Sequence, residues 1–490
     1  MRQLLNNIII GSDVRQSLSS LRQMIKDKTA RNDLIELIED HVDDMIVLLD
    51  NEDSKTRKNT ALLMGDLGLY EFLEPLFQGY VRETQLFVKS AFLTAMKNFD
   101  YDSYVPAFKD RLEKLANTEL TIENKKHTEE EMRELSELVI SVEGITPHEF
   151  IGYHHYYDCI LFTNRKYPEI TGEQVIDGKL SPSTFGVRVS TKNIESLLPI
   201  RTYNEILFVI PGMKTCEIDA MIAAKHISSS NLLQMLQNSH TGTVPFYFRV
   251  NIISKMPLDK KSGFAKKLSS ELEHLTERQL INSTSNYEFE IRLIENKNDS
   301  FTILIKLNTI IDERFSYRKE HIASSIKPVN AALLVALAKP YMIEDARILD
   351  PFCGVGTMLI ERQKIVKGNT SYGIDTLEDA IIKAKINTEE AGQIIHYINK
   401  SFFDFTHDYL FDEIFTNMPF VIGHKTEDEI YELYDRFFNR AKSMMKRDGV
   451  IILYSHNQEY VWRLTKEKGY TIIKHFEVMT REDTHLFIIK

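Results

Sequence analysis

At 490 residues the chain is longer than one hydrophobic core can organise and is expected to divide into about three units. Apolar residues at 43% and charged residues at 27% exclude a disordered or fibrous chain, and no apolar run nears the roughly 20 residues that span a bilayer, so cytoplasmic residence is expected. The net charge of −11 sits mostly in residues 1–150, with 28 acidic against 18 basic side chains, while the remainder holds 43 against 42; a polyanionic substrate is therefore not excluded.

From Asp13 to about Ala116 the pattern is helical, with Leu62, Leu63 and Leu67, and then Phe92, Leu93 and Met96, at core spacing. Residues 48–61 resemble one unit of a HEAT repeat, an acidic turn followed by a basic residue and a small-residue helix. Residues 88–93 are a weaker copy about one repeat length later. Stacked helix pairs are expected over residues 1–120, with an ordinary helical bundle as the alternative. The stretch from Thr118 to Val142 carries Glu129, Glu130, Glu131, Glu134 and Glu137, and residues 121–150 read as a solvated, charged helical linker.

Composition then changes. Tyr153, His154, His155, Tyr156 and Tyr157 read as packing aromatics, with a metal or base-stacking role as the alternative. β-rich runs follow at 159–162, 185–189 and 205–209. Residues 246–252 predict a strand, 263–275 an amphipathic helix, and 287–293 and 300–307 two more strands. Arg249, Lys255, Lys260, Lys261, Lys266 and Lys267 cluster around that helix. They are candidates for phosphate contacts, although most lysine clusters simply solvate a helix.

The run Arg347-Ile348-Leu349-Asp350-Pro351-Phe352-Cys353-Gly354-Val355-Gly356-Thr357 reads as a strand, a glycine turn and a helix start. Glycine at 354 and 356 permits unusual dihedrals and a closer ligand approach than a Cβ allows. Asp350 can accept a hydrogen bond or pair with a cationic ligand group. A second strand ends at Asp375, before Thr376, and a carboxylate there suits ribose hydroxyls, so the geometry points to an adenosyl ligand. A third strand, 395–398, precedes Ser401-Phe402-Phe403-Asp404. A fourth, 413–416, delivers Asn417-Met418-Pro419-Phe420. Later strands are expected at 450–454, 471–473 and 485–489. The three cysteines, Cys159, Cys216 and Cys353, form no Cys-x-x-Cys pair, so neither disulfides nor a metal site is expected.

The glycine turn resembles that of S-adenosylmethionine methyltransferases acting on nucleic acids. Asn417-Met418-Pro419-Phe420 resembles the Asn-Pro-Pro-Tyr or Asn-Pro-Pro-Phe loop of amino-nitrogen methyltransferases, with Met418 in place of the first proline. Residues 317–332 resemble the connecting segment of the THUMP-domain RNA methyltransferases, in particular the tRNA and ribosomal RNA guanine-N2 group, where this segment supplies a helix covering the cofactor. That resemblance spans residues 152–490. It implies a ferredoxin-like domain at 151–242, a THUMP domain at 243–312 that grips the acceptor end of tRNA, and a Rossmann-like seven-stranded methyltransferase domain at 313–490. It further implies S-adenosylmethionine as cofactor, held by Asp350, Phe352, Cys353, Gly354, Gly356, Thr357, Asp375, Thr376, Asp404 and Asn417, with Asp404 near the adenine amine. Catalysis would fall to Asn417, Pro419 and Phe420, and Cys353 belongs to the loop without acting as a nucleophile. The expected fold is thus multidomain α plus α/β, and the expected reaction is methylation of guanosine N2 in RNA, with tRNA as the first candidate. Alternatives are ribosomal RNA guanine, DNA adenine, protein glutamine, or a helical scaffold with a vestigial enzyme. The added amino-terminal helices suggest a protein partner.

Overall fold

The protein is described by a computed structural model covering residues 1–116, 121, 124–145, 147–213, 215–420 and 426–490. The chain folds as two compact units, Met1–Thr146 and Pro147–Lys490.

The first unit is helical. Asp53 explains where the repeat-like helix Ser54–Leu67 begins, because its carboxylate accepts the backbone N–H groups of Lys55 and Thr56. The basic residue four positions on, Arg57, donates to Glu83 at 2.7 and 2.8 Å and to the carbonyl of Asn51. Gly65 lets this helix approach Leu86–Met96 closely, since a Cβ there would lie 2.5 Å from the Cα of Ala95. Thr118, where the charged stretch was expected to begin, lies outside the described residues. The helix Lys125–Glu143 departs from the solvated linker expected there. Glu131 is fully buried, accepting hydrogen bonds from Tyr80 Oη at 2.6 Å and from Arg111 at 2.8 and 3.1 Å, while Leu135 and Leu138 join the core.

The second unit contains two sheets. In the first, β1 (Tyr157–Thr163), β2 (Lys179–Ser183), β3 (Gly186–Thr191), β4 (Tyr203–Val209), β5 (Cys216–Glu217), β6 (Phe246–Ile253), β7 (Leu280–Asn282), β8 (Phe289–Glu295) and β9 (Ser300–Leu307) run in the order β2-β3-β1-β4-β9-β8-β6-β7, with β5 beside β9. The segments 151–242 and 243–312, expected as separate domains, therefore share one sheet. They are joined where Phe208 of β4 faces Ile305 of β9, over a core running from Phe150 to Leu307. In the aromatic cluster, Tyr153 and Tyr157 pack on Phe150 while His154 and His155 are exposed.

The second sheet comprises β10 (Arg347–Asp350), β11 (Thr370–Asp375), β12 (His396–Asn399), β13 (Phe411–Asn417), β14 (Met445–Ser455), β15 (Ile472–Met479) and β16 (Thr484–Ile489), ordered β12-β11-β10-β13-β14-β16-β15. The strands are parallel from β12 to β14, and β16 runs antiparallel to both its neighbours. Alternation of Ile348 and Leu349, and of Ile414 and Phe415, sends apolar side chains to both faces, each covered by helices. The chain order reverses at β10, which lies between β11 and β13. Such a switch point opens a crevice at the carboxyl ends of the strands.

Candidate active site

Three loops leave the carboxyl ends of β10, β11 and β13 at that crevice. The β10 loop is set by its own dihedrals: Gly354 has φ 52° and Gly356 φ 81°, both in the left-handed region. The two glycines serve different ends. A Cβ on Gly354 would meet only open space, whereas one on Gly356 would lie 2.2 Å from Tyr397 Oη. Protein packing therefore demands glycine at 356, and the open side of the turn lies at 354. Asp375 orders the turn, its two oxygens accepting the N–H groups of Gly354 and Leu377, both at 2.9 Å. Cys353 is buried, which pushes its thiol well above the usual range and keeps it protonated.

These loops surround a cavity of about 340 Å³, at the lower end of the size that small-ligand sites occupy. Of the residues expected from sequence, Phe352, Cys353, Gly354, Thr357, Asp375, Thr376, Asn417, Pro419 and Phe420 line it. Asp350 and Gly356 lie behind this wall. Asp404 departs from expectation: it is exposed on the 3-10 turn Phe402–Asp404, and Ser401, Phe402 and Phe403 form the wall there instead. The connecting segment is corrected similarly. The helix Pro328–Ala338 is buried in the core, and it is the preceding turn, Ile322 with Ser324, Ser325 and Ile326, that lines the cavity. Asn387 holds that segment to the glycine loop, exchanging hydrogen bonds with the Glu320 backbone and donating to the Val355 carbonyl.

Asn417 closes β13, opposite Tyr454, and the Met418 N–H returns to the Tyr454 carbonyl at 2.9 Å. Met418 is buried in the core cluster that holds Tyr434 and Phe437, which accounts for an apolar residue where the resembled loop has a proline. Phe420 stacks on His456, ring centres 4.2 Å apart at 27°, and burial holds His456 below its ordinary range and hence neutral. His456 was missed from sequence; its only signal is a polar residue just past a parallel strand. Arg249 and Lys255 precede the helix Leu258–Leu275, which carries Lys260, Lys261, Lys266 and Lys267. None of the six lines this cavity, and Arg249 lies over the Tyr287 ring at 5.4 Å.

The fit to a polar ligand rests on atoms left without partners. Among the described residues, Asp350 Oδ2, Thr357 Oγ1 and Asn417 Oδ1 are buried with no hydrogen bond. Orphaned polar atoms are costly unless a ligand satisfies them. Asp350 also stores a proton. Burial pushes its carboxyl up to about 7, opposed by hydrogen bonds from Thr416 Oγ1 at 2.6 Å and the Phe352 N–H, and assisted by the nearby charge of Asp375. The folded chain keeps this proton to about pH 7 and the unfolded chain releases it near 3.8, so stability falls as pH rises through that window. In calorimetric melts, the transition that S-adenosylmethionine raises should lose about 3 kcal/mol between pH 5 and 8 through this group, a loss that Asp350→Asn abolishes. Equal pH dependence in both proteins would refute it.

Residues 316–485 match the family described as RMKL-like, methyltransferase domain. The fold is similar to TrmN from Thermus thermophilus (16% identity, TM-score 0.52, covering 69% of this chain and 99% of that one). It is likewise similar to a predicted N6-adenine-specific DNA methylase from Listeria monocytogenes (17%, 0.53, 68% and 96%) and to SMU.472 complexed with SAH (15%, 0.53, 68% and 98%). At these identities the solved structures establish the fold alone. Among the described residues no helix is long and apolar enough to cross a membrane, and no group of three or more His, Cys, Asp or Glu could hold a metal. The match to the RMKL-like methyltransferase model falls on the segment that builds the crevice, and the chain is an S-adenosylmethionine-dependent methyltransferase.

Proposed function

We propose that the chain methylates the exocyclic N2 amine of a guanosine in RNA, with tRNA as the substrate class. The observation that carries this reading is the buried, unpartnered Asn417 Oδ1 in the wall of the cavity that also holds the glycine turn. An aromatic amine is conjugated with its ring and is a poor nucleophile, so it needs orientation more than a base. Asn417 Oδ1 accepts one amine hydrogen, the Met418 carbonyl accepts the other, and Phe420 stacks on the base. S-adenosylmethionine, when bound, supplies a methyl group already activated on a sulfonium. Phe352, Gly354, Thr357, Asp375 and Thr376 would hold it, with Asp350 behind the loop, while Ser401 and Phe402 take the place first given to Asp404.

Support for RNA comes from the helix Leu258–Leu275, whose Lys260, Lys266 and Lys267 are exposed and make no ion pair among the described residues. We read the Phe246–Leu307 part of the first sheet as a THUMP domain on that basis, with Arg249, Lys255 and Lys261 as further phosphate contacts. Residues 1–120 we read as HEAT-like pairs that present a surface to a protein partner.

The test is transfer of labelled methyl to total RNA followed by nucleoside mass spectrometry, with N2-methylguanosine as the expected product. Label that survives ribonuclease but yields to deoxyribonuclease or protease would overturn the RNA reading, and N6-methyladenosine would overturn the choice of base.

A further inference from the structure

A second cavity of about 720 Å³ adjoins the first, and the two share Asn417, Phe420 and the turn Ser324 to Ile326. Its wall is unlike the chain as a whole. In a protein of net charge −11 it gathers Arg165, Lys166, Lys327 and Arg481 against a single carboxylate, Glu482, among the described residues. Lys166 is committed to Glu477 at 2.5 Å, but Arg165, Lys327 and Arg481 are exposed and make no ion pair among the described residues.

The two arginines come from different sheets. Arg165 sits in the loop after β1, and Arg481 in the 3-10 turn Thr480–Glu482 after β15. They are held together because Asn164 Nδ2 donates to the Val478 carbonyl and Tyr167 Oη to the Glu477 carbonyl, both at 2.9 Å. The same wall carries Phe420 and His456, stacked, and His456 hydrogen-bonds the Glu482 backbone. Cations around an aromatic surface beside an unsatisfied amide oxygen match the chemistry of one nucleotide: phosphate, base and exocyclic amine. The volume lies within the usual range for such ligands.

We propose that the second cavity is a nucleotide site in which Arg165 and Arg481 hold the phosphates on either side of an extruded nucleotide whose base lies on Phe420, with His456 as the positioning residue that fixes that ring. The loop after β1 is thus part of the active centre and not a remote tether. This rests on the reading of the acceptor as RNA.

The experiment compares wild type with Arg165→Ala, Arg481→Ala and the double variant. Methyl transfer to total RNA gives kcat and KM, a fluorescent single-stranded oligoribonucleotide gives affinity across salt concentrations, and calorimetry checks S-adenosylmethionine binding. The double variant should raise KM and weaken the oligoribonucleotide roughly tenfold or more. Its salt slope should fall by about 1.4, two single-strand phosphate contacts, with kcat within a few-fold. His456→Ala should lower kcat with little change in KM, and His456→Phe should restore it. If an alanine variant loses cofactor binding, Arg165→Gln and Arg481→Gln replace it. Unchanged KM and salt slope would overturn the proposal while loss of activity in Asn417→Ala leaves the amine reading intact. Weakened RNA binding with full activity in Asn417→Ala would do the reverse. Wild-type protein that neither binds nor methylates RNA overturns both.

Discussion

Asn417→Ala is expected to lower kcat for methyl transfer about a thousandfold, the upper end of what removing one preorganised hydrogen-bonding group costs. The S-adenosylmethionine dissociation constant should change less than about tenfold, because the amide oxygen is assigned to the acceptor amine and the loop backbone stays anchored by the Met418 N–H bond to Tyr454. Asn417→Asp retains an acceptor oxygen and should recover part of the rate. The measurement is single-turnover transfer with saturating cofactor. A rate within fivefold of wild type in Asn417→Ala would remove Asn417 from the chemistry and leave its orphaned oxygen without a role.

The second large effect concerns stability. Arg362, on the helix Thr357–Ile365, and Glu413, on β13, are both fully buried, and their ion pair closes at 2.9 Å through two contacts. Arg362 also donates to the Ile343 carbonyl at 2.8 Å. Arg362→Ala strands a carboxylate in the core and should cost about 3–5 kcal/mol. That lowers the cofactor-sensitive melting transition by about 10 °C. Replacing both partners, Arg362→Met with Glu413→Leu, should recover most of the loss, since an apolar pair of similar volume avoids the uncompensated charge. A loss below about 1 kcal/mol in Arg362→Ala would mean that water reaches the pair.

What the sequence made legible is what is local. The glycine turn, Asp375 and the Asn417 loop each lie within a few residues of a strand end, and a parallel strand delivers its last residues to one crevice whatever the rest of the chain does. Strand positions such as 300–307 and 246–252 were readable because β-branched and aromatic runs are local too. Illegible features needed distant partners. Glu131 and Glu361 look like solvated charges in any helix window, yet Glu131 meets Tyr80 and Arg111, and Glu361 meets Arg201 and Tyr317. The pairing of β4 with β9, which merges two expected domains into one sheet, joins segments about a hundred residues apart. Asp404 lies off the cavity wall for a subtler reason: a single 3-10 turn decides which of three successive residues faces inward, and here it buries Phe402 and exposes the acid. Likewise nothing in the sequence places residue 165 near residue 481.

The Glu361 carboxylate has a mechanical consequence. It is fully buried on the helix that begins at the glycine turn, and it accepts both a two-pronged contact from Arg201, at 2.8 and 2.6 Å, and the Tyr317 hydroxyl at 2.7 Å. Arg201 precedes β4 of the first sheet, so any hinge opening between the sheets would have to tear a guanidinium from a dry carboxylate. The two sheets are thereby pinned beside the glycine turn. On the proposed reading, the work of bringing an acceptor amine to the methyl then falls to deformation of the substrate.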